Sequence, residues 1–201
     1  MEMPNAVSGN FEIHVTIDVN GIGKTQVIKV LNICFNNGYK LIRLRVGDGI
    51  IQTMTTTKER SIDEHAAIVR ANDIAANLAK AVHVLRVKVE ANANNTNVPN
   101  DEAPSDGKYF EFHFNVKMPE GEGQEERLKQ ALIPYKGRLS TVLHSNALLI
   151  TLQFYACGKS QAWSVCQEMM KELHAQNFIA TCKHKEFVVY DSNHSLDDEW
   201  V

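Results

Sequence analysis

The chain has 201 residues, of which 44% are hydrophobic and 22% charged, proportions typical of a globular protein with a sizeable core. It carries 21 Lys and Arg against 24 Asp and Glu, a formal net charge of -3, so no overall positive field favours extended duplex nucleic acid. The sequence contains neither an apolar run of about 18 residues nor a start typical of a secretory leader. These features predict a cytoplasmic protein that does not bind membranes.

After a tail at residues 1–9, the first half of the chain predicts six elements. Apolar and polar residues alternate over 10–17, as they do in a half-buried strand, and apolar residues then recur at helical spacing. Two strands flank a turn at 47–49, which is typical of a hairpin. The predicted elements are a strand at 10–17, a helix at 26–36, strands at 40–46 and 50–56, a helix at 61–80 and a strand at 82–91.

The second half repeats this order after an Asn-rich segment at 92–108, which predicts a flexible linker. Residues 109–116 have the same alternation of aromatic, Glu, apolar and His residues as 10–17, which indicates an internal repeat. The predicted elements are a strand at 109–116, a helix at 124–135, strands at 138–144 and 147–155, a helix at 160–177 and a strand at 178–191.

Each half therefore has the order β-α-β-β-α-β of the split βαβ, or ferredoxin-like, unit. The sequence predicts an α+β protein made of two tandem ferredoxin-like repeats, at 10–91 and 109–191, that form two lobes related by a pseudo-two-fold axis. An acidic tail follows at 192–201. We expect this tail to be solvated, although Leu196 and Trp200 could fold it back onto the body.

The recognisable cofactor motifs are absent or incomplete. The four cysteines include no Cys-x-x-Cys pair, so we expect reduced thiols and no metal site. Residues 18–25 end in Gly-Lys-Thr like a phosphate-binding loop, but Asp18 stands where such a loop has its first glycine. A turn that leads into a helix capped by Thr25 is the simpler interpretation. The sequence thus predicts no cofactor.

The polar face of each predicted sheet carries a histidine. In a ferredoxin-like sheet the first and last strands are neighbours, and the helices cover one face only. The uncovered faces would present two sets of residues, Glu12, His14 and Thr16 beside Arg86, Lys88 and Glu90, and Glu111, His113 and Asn115 beside Lys183, His184 and Lys185. If these faces meet, they line an interlobe groove whose paired histidines and basic residues suit an anion. Solvated residues on two half-exposed sheets are the alternative.

The segment His14-Val15-Thr16-Ile17 resembles the His-x-Thr/Ser motif of the two-histidine (LigT-like) phosphoesterases. The segment His113-Phe114-Asn115-Val116 matches at the histidine and has Asn115 in place of the hydroxyl residue. The resemblance implies two α/β lobes in which His14 and His113 act as general base and general acid on a phosphodiester without a metal. It also implies that Thr16 and Asn115 hold phosphate oxygens.

These observations predict a phosphate-bearing ligand, namely a nucleotide, a cyclic phosphate or an RNA end. His14 and His113 are the candidate catalytic residues for metal-independent phosphodiester hydrolysis, and the candidate ligand-binding residues are Thr16, Asn115, Arg86, Lys88, Lys183 and Lys185. The alternative is a catalytically silent regulatory module that binds a protein partner or a second copy of itself. The alternating charges along the predicted strands also resemble those of the triphosphate tunnel enzymes. The segment Glu12-Ile13-His14-Val15-Thr16, however, lacks the Glu-x-Glu-x-Lys pattern of that family.

Overall fold

The computed structural model of the chain describes residues 6–47 and 49–200, without the side chains of Glu199 and Trp200. The elements of the first half are β1 (Ser8–Asp18), α1 (Lys24–Asn37), β2 (Lys40–Val46), β3 (Ile50–Asp63), α2 (Glu64–Leu78) and β4 (His83–Asn92). Those of the second half are β5 (Tyr109–Lys117), α3 (Gln124–Leu132), a 3₁₀ helix (Ile133–Tyr135), β6 (Arg138–Val142), β7 (Ala147–Phe154), α4 (Lys159–Ala175), β8 (Ile179–Asp191) and a C-terminal 3₁₀ helix (His194–Trp200).

The helix boundaries follow from local chemistry. Helix α1 ends where Gly38 adopts a left-handed conformation, with φ of 69°, which glycine adopts without steric cost. Helix α2 begins after Asp63, whose carboxylate accepts a hydrogen bond from the Ala66 amide. The prediction that Thr25 caps α1 is wrong, because Gly23 occupies that position and Thr25 lies inside the helix.

Strand β1 begins earlier and β3 ends later than the sequence pattern predicts. The two strands pair antiparallel over nearly their whole length, from Ser8 with Asp63 to Ile17 with Thr53. Part of the predicted tail at 1–9 is therefore strand, and its residues 1–5 lie outside the described part of the chain, as does Asp48 of the predicted hairpin turn.

The eight strands form one closed antiparallel barrel with the order β1-β3-β2-β6-β7-β5-β8-β4. Two seams join the halves: β2 pairs with β6 from Leu44–Val142 to Val46–Ser140, and β4 pairs with β8 from Lys88–Asp191 to Asn92–Glu186. The prediction of two tandem ferredoxin-like repeats in separate lobes is wrong. Four edge strands would have left unpaired backbone groups, and the two seams pair them with each other.

The apolar core lies between the outer face of the barrel and the helices. Alternation along the strands directs Ile13, Val15, Phe112 and Phe114 outward, where they are fully buried under the helices. The core residues that the long helices contribute are Ala67, Ala71, Ile74 and Leu78 from α2, and Ala162, Cys166, Met169 and Leu173 from α4. The opposite side of β1 and β5, which is polar, therefore faces the barrel interior.

The segments outside the barrel are held by specific contacts. In the segment 92–108, Thr96 exchanges two backbone hydrogen bonds with Ser8, and Asn100 accepts one from the Ser160 amide. The C-terminal segment is not a solvated tail, because Asp197 is 3% exposed and bonds with Arg86 inside the barrel. Among the helices of the described residues, none is long and apolar enough to cross a membrane.

We predict that Asp197→Ala lowers the free energy of unfolding by about 1–3 kcal/mol, because it leaves buried donors of Arg86 and Gln153 without an acceptor. Asp198→Ala is the matched control, since Asp198 lies next along the same 3₁₀ helix and is exposed. Urea unfolding followed by circular dichroism measures both changes. Equal effects of the two substitutions would show that Asp197 does not hold the C-terminal helix on the barrel.

Candidate functional site: the barrel lumen

The barrel encloses a cavity of about 430 Å³, a volume within the range of small-molecule sites. Strand register shows that its two ends differ. At one end the C-terminal 3₁₀ helix covers the opening, and Leu196 accepts a hydrogen bond there from Gln52. At the other end β2 begins at Lys40, and the turn between β6 and β7 carries His144 and Ser145. We call the first end the floor and the second the mouth.

The cavity has two chemically distinct walls. Strands β1, β4, β5 and β8 form the charged wall, with Glu12, His14, Thr16, Arg86, Lys88, Glu90, Glu111, His113, Asn115, Lys183, His184 and Glu186. Strands β2, β3, β6 and β7 form the apolar wall, whose apolar side chains are Ile42, Leu44, Met54, Val142, Ala147 and Leu149. The lumen therefore suits a ligand with one polar side and one apolar side.

His14 lies on the charged wall against a buried carboxylate. Its Nε2 is 2.8 Å from Glu90 Oε2, and the Glu90 side chain is 1% exposed. Burial opposes a charge on His14, but the negative charge of Glu90 and the hydrogen bond to it outweigh burial and raise the pKa of His14. The other ring nitrogen, Nδ1, has no hydrogen-bond partner in the described structure.

Lys88 connects the two halves of the charged wall. Its Nζ lies 2.6 Å from Glu90 Oε1 and donates a hydrogen bond to Glu111 Oε1, also at 2.6 Å. Burial disfavours the ammonium, but the two carboxylates outweigh it and raise the pKa of Lys88. The same ammonium helps to lower the pKa of Glu90 and of Glu111 against the effect of their burial. This arrangement is a buried ion-pair network.

His113 is the second histidine of the charged wall. Its Nε2 is 3.2 Å from both Glu111 Oε1 and Glu186 Oε2, and its Nδ1 is 3.0 Å from Thr151 Oγ1. Burial works against the imidazolium, but hydrogen bonds with the two carboxylates raise the pKa of His113 well above its usual range. Burial and the nearby Glu90 carboxylate raise the pKa of Glu186 to about 7.

At the floor, Arg86 is held by carboxylates on both sides. Its guanidinium donates to Asp191 and to Asp197, with 2.9 Å from Nε to Asp191 Oδ1 and 2.6 Å from Nη1 to Asp197 Oδ1. The Tyr109 hydroxyl donates to Asp191 at 2.8 Å. Because these bonds occupy the donors along the edge of the guanidinium, Arg86 closes the floor and is not free to receive an anion from the cavity.

The mouth carries basic residues of a different kind. Lys40 and Lys183 line the cavity there and are exposed, and neither forms an ion pair with the described residues. Lys183 is the extra residue of a β-bulge, since His113 pairs with His184 and Phe114 pairs with Cys182. Bulges redirect side chains, and this one places Lys183 and its neighbour His184 on the lumen side.

The barrel brings together seven of the eight residues that the sequence singled out. The residues that line the cavity are His14, Thr16, Arg86, Lys88, His113, Asn115 and Lys183. Lys185 is not among them, because its Nζ lies 3.0 Å from the centroid of the ring of Trp163, a residue of α4. The bulge at Lys183 changes the alternation, and one sequence does not reveal a bulge.

Sequence reasoning missed the residues that neutralise the predicted basic site. Glu186 shares its side of β8 with His184, and this parity is the signal that could have identified it. Asp197 falls in the predicted tail, and nothing in its local sequence indicates burial. The apolar wall was also missed, because the two sheets were expected to face each other as two polar surfaces.

Comparisons with known proteins identify no family for this chain. No family model matches it, and no curated protein matches it. Solved structures that resemble it include a protein described as a glycine cleavage system transcriptional repressor, with 13% identity over 91% of this chain and 98% of that chain and a TM-score of 0.28. The small subunit of acetolactate synthase from Thermotoga maritima has 15% identity over 87% and 97% of the two chains and a TM-score of 0.29.

A third solved structure is a haem-binding protein from Thermus thermophilus. It has 10% identity over 94% of both chains and a TM-score of 0.29. At such scores the matches carry no argument about function. The phosphoesterase-like and hydrolase interpretation is nevertheless wrong as stated, since it required a groove between two ferredoxin-like lobes and the chain forms one closed barrel.

We predict that Lys88→Met lowers the free energy of unfolding at neutral pH by about 3–5 kcal/mol, because two buried carboxylates lose their shared cation. Lys58→Met is the matched control. Lys58 also forms an ion pair on the barrel, with Glu12 at 3.2 Å, but it is 64% exposed, and loss of an exposed pair costs at most about 1 kcal/mol. Urea unfolding of both variants tests the difference, and a Lys88→Met effect no larger than that of Lys58→Met would contradict the buried network.

Proposed function

We propose that the barrel is a binding protein for a small organic anion whose body has one polar and one apolar side, such as a nucleotide or another phosphate-bearing metabolite. The observation that carries this proposal is the pair Lys40 and Lys183, two exposed lysines without ion pairs to the described residues, at the mouth of a cavity with an apolar wall. A lysine that no carboxylate neutralises can bind an anionic group without breaking an existing ion pair, so the free-energy cost of binding is smallest there.

The charges inside the lumen determine the orientation of the ligand. Lys88, His14 and His113 already bond to carboxylates, so an anion placed deep in the cavity would meet Glu90, Glu111 and Glu186. The phosphate or carboxylate group of the ligand therefore stays at the mouth. Its body extends inward, where Leu149 and Met54 provide apolar contact and the opposite wall provides hydrogen-bonding groups.

The proposal differs from the sequence-based hypothesis in the roles of its residues. His14 and His113 lie in the ion-pair network and are not placed to receive the phosphate, and Thr16 is buried on the same wall at 3% exposure. We assign no reaction to the lumen. The proposal keeps the cytoplasmic location that the sequence predicts.

We predict that nucleoside monophosphates, 2',3'-cyclic nucleotides and medium-chain carboxylates include ligands that bind at least tenfold more tightly than their uncharged counterparts, the nucleosides and alcohols. Isothermal titration at two salt concentrations measures this, and affinity should fall as salt rises, because the mouth lysines are exposed. Equal binding of charged and uncharged partners, or no binding of any compound, would contradict the proposal.

We further predict that the double variant Lys40→Gln, Lys183→Gln loses the preference for the anion. Lys171→Gln, which changes an exposed lysine on α4, should leave this preference unchanged.

Ala147→Trp, which fills the mouth end of the apolar wall without changing a charge, should block charged and uncharged ligands alike. Titration of each variant with the best compound measures these effects. Binding that survives Ala147→Trp would place the anion outside the barrel.

A further inference from the structure

We propose that Glu90, His113 and Glu186 bind a divalent transition-metal ion inside the barrel. One ligand atom from each of these side chains lies within 4.8 Å of the other two. A first-row divalent ion holds nitrogen and oxygen ligands at about 2.0–2.2 Å, so two ligands on opposite sides of it are about 4.2 Å apart. The largest separation within the group exceeds that distance by at most about 0.6 Å.

The three residues occupy neighbouring strands of a rigid barrel. Strand β8, which carries Glu186, lies between β5, which carries His113, and β4, which carries Glu90. Two β-bulges flank Glu186 on β8: the ladder with β5 shifts at Lys183, and the ladder with β4 shifts at Val189. Bulges are over-represented next to functional sites, where they redirect a side chain.

The histidine is oriented for coordination. Nδ1 of His113 is 3.0 Å from Thr151 Oγ1 and can donate its hydrogen to that oxygen. A metal ion at Nε2 would therefore displace only the proton that this nitrogen shares with the Glu111 and Glu186 carboxylates. Nε2 is already 3.2 Å from Glu186 Oε2, a separation typical of two ligands at adjacent positions around one ion. Fixing of a ligand histidine through its second nitrogen is the usual support for a metal site.

Glu90 provides an observation independent of the cluster itself. Its side chain is 1% exposed and lines the cavity, yet its Oε1 accepts no hydrogen bond from the described residues. The contact of that oxygen with Lys88 Nζ at 2.6 Å is an ion pair outside hydrogen-bond geometry. Lys88 therefore compensates the charge of this oxygen but gives it no hydrogen bond, so the oxygen can still coordinate a metal ion.

The local charge also accommodates a cation. Glu12, Glu90, Glu111 and Glu186 line one region of the lumen together with Lys88, His14 and His113. When the carboxylates are ionised and both histidines carry protons, these groups sum to -1. A divalent ion that takes the place of the His113 proton brings the sum to zero, and a nitrogen with carboxylate oxygens suits Zn²⁺, Co²⁺ or Mn²⁺.

The test uses the full-length protein after treatment with EDTA and dialysis, without any organic ligand. Titration with CoCl₂ and ZnCl₂, followed by calorimetry and by the visible absorption of Co²⁺, should show one ion per chain. Glu186→Gln should weaken binding at least tenfold, and it should fold because it removes one of several crowded carboxylates. His113→Gln should weaken binding as much and should change the Co²⁺ spectrum, because it removes the nitrogen ligand.

His65→Gln and Asp198→Asn are the matched controls, since both residues are exposed on the surface, and both variants should bind like the native chain. The variant with Lys40→Gln and Lys183→Gln should also bind the metal normally, so failure of the anion proposal and failure of the metal proposal are distinguishable. Absence of binding at millimolar metal would overturn the inference. Binding that Glu186→Gln and His113→Gln leave unchanged would overturn it as well, because the ion would then sit elsewhere.

Discussion

The pairing of exposed strand edges is the constraint on which the rest of the structure depends. Each half of the chain provides four strands, and a four-stranded sheet has two edges whose amide and carbonyl groups need partners. Pairing β2 with β6 and β4 with β8 satisfies all four edges within one chain. This closure turns one face of each half into the lining of a lumen. It is the reason that the charged groups of β1, β4, β5 and β8 lie inside the protein.

Enclosure changes what the same side chains can do. On an open sheet, Glu12, Lys88 and Glu90 would be solvated and weakly coupled, whereas in a narrow lumen each charge requires a partner. The resulting network uses the inner basic groups for internal neutralisation. In the two proposals, the lysines at the mouth receive an anion and the carboxylate-rich region below them receives a cation. The two proposed sites therefore occupy different depths of one cavity and rest on different residues.

The sequence predicts the local structure well and the global arrangement poorly, for a physical reason. Alternation in 10–17 and 109–116 identifies β1 and β5 and the inward side of each, so that His14, His113 and most of their neighbours could be placed on one polar wall. Closure depends on the seams between Leu44 and Val142 and between Glu90 and Val188, and long-range pairing leaves no periodic signal. The positions of Lys183 and Lys185 depend on a bulge, and the position of Asp197 depends on the floor of a barrel that the sequence pattern does not reveal.

Amide hydrogen exchange along the two seams tests the closed barrel most directly. The account predicts slow exchange for the amides that bond across the seams, namely those of Arg45, Thr141 and Leu143 between β2 and β6 and those of Ala91 and Phe187 between β4 and β8. They should exchange as slowly as the amides at the centres of β1 and β5, because backbone pairing protects them. Cross-strand nuclear Overhauser contacts between Leu44 and Val142 should accompany this protection. Rapid exchange on one side of either seam, with no such contacts, would show an open sheet edge and would contradict the enclosed lumen on which both proposed sites depend.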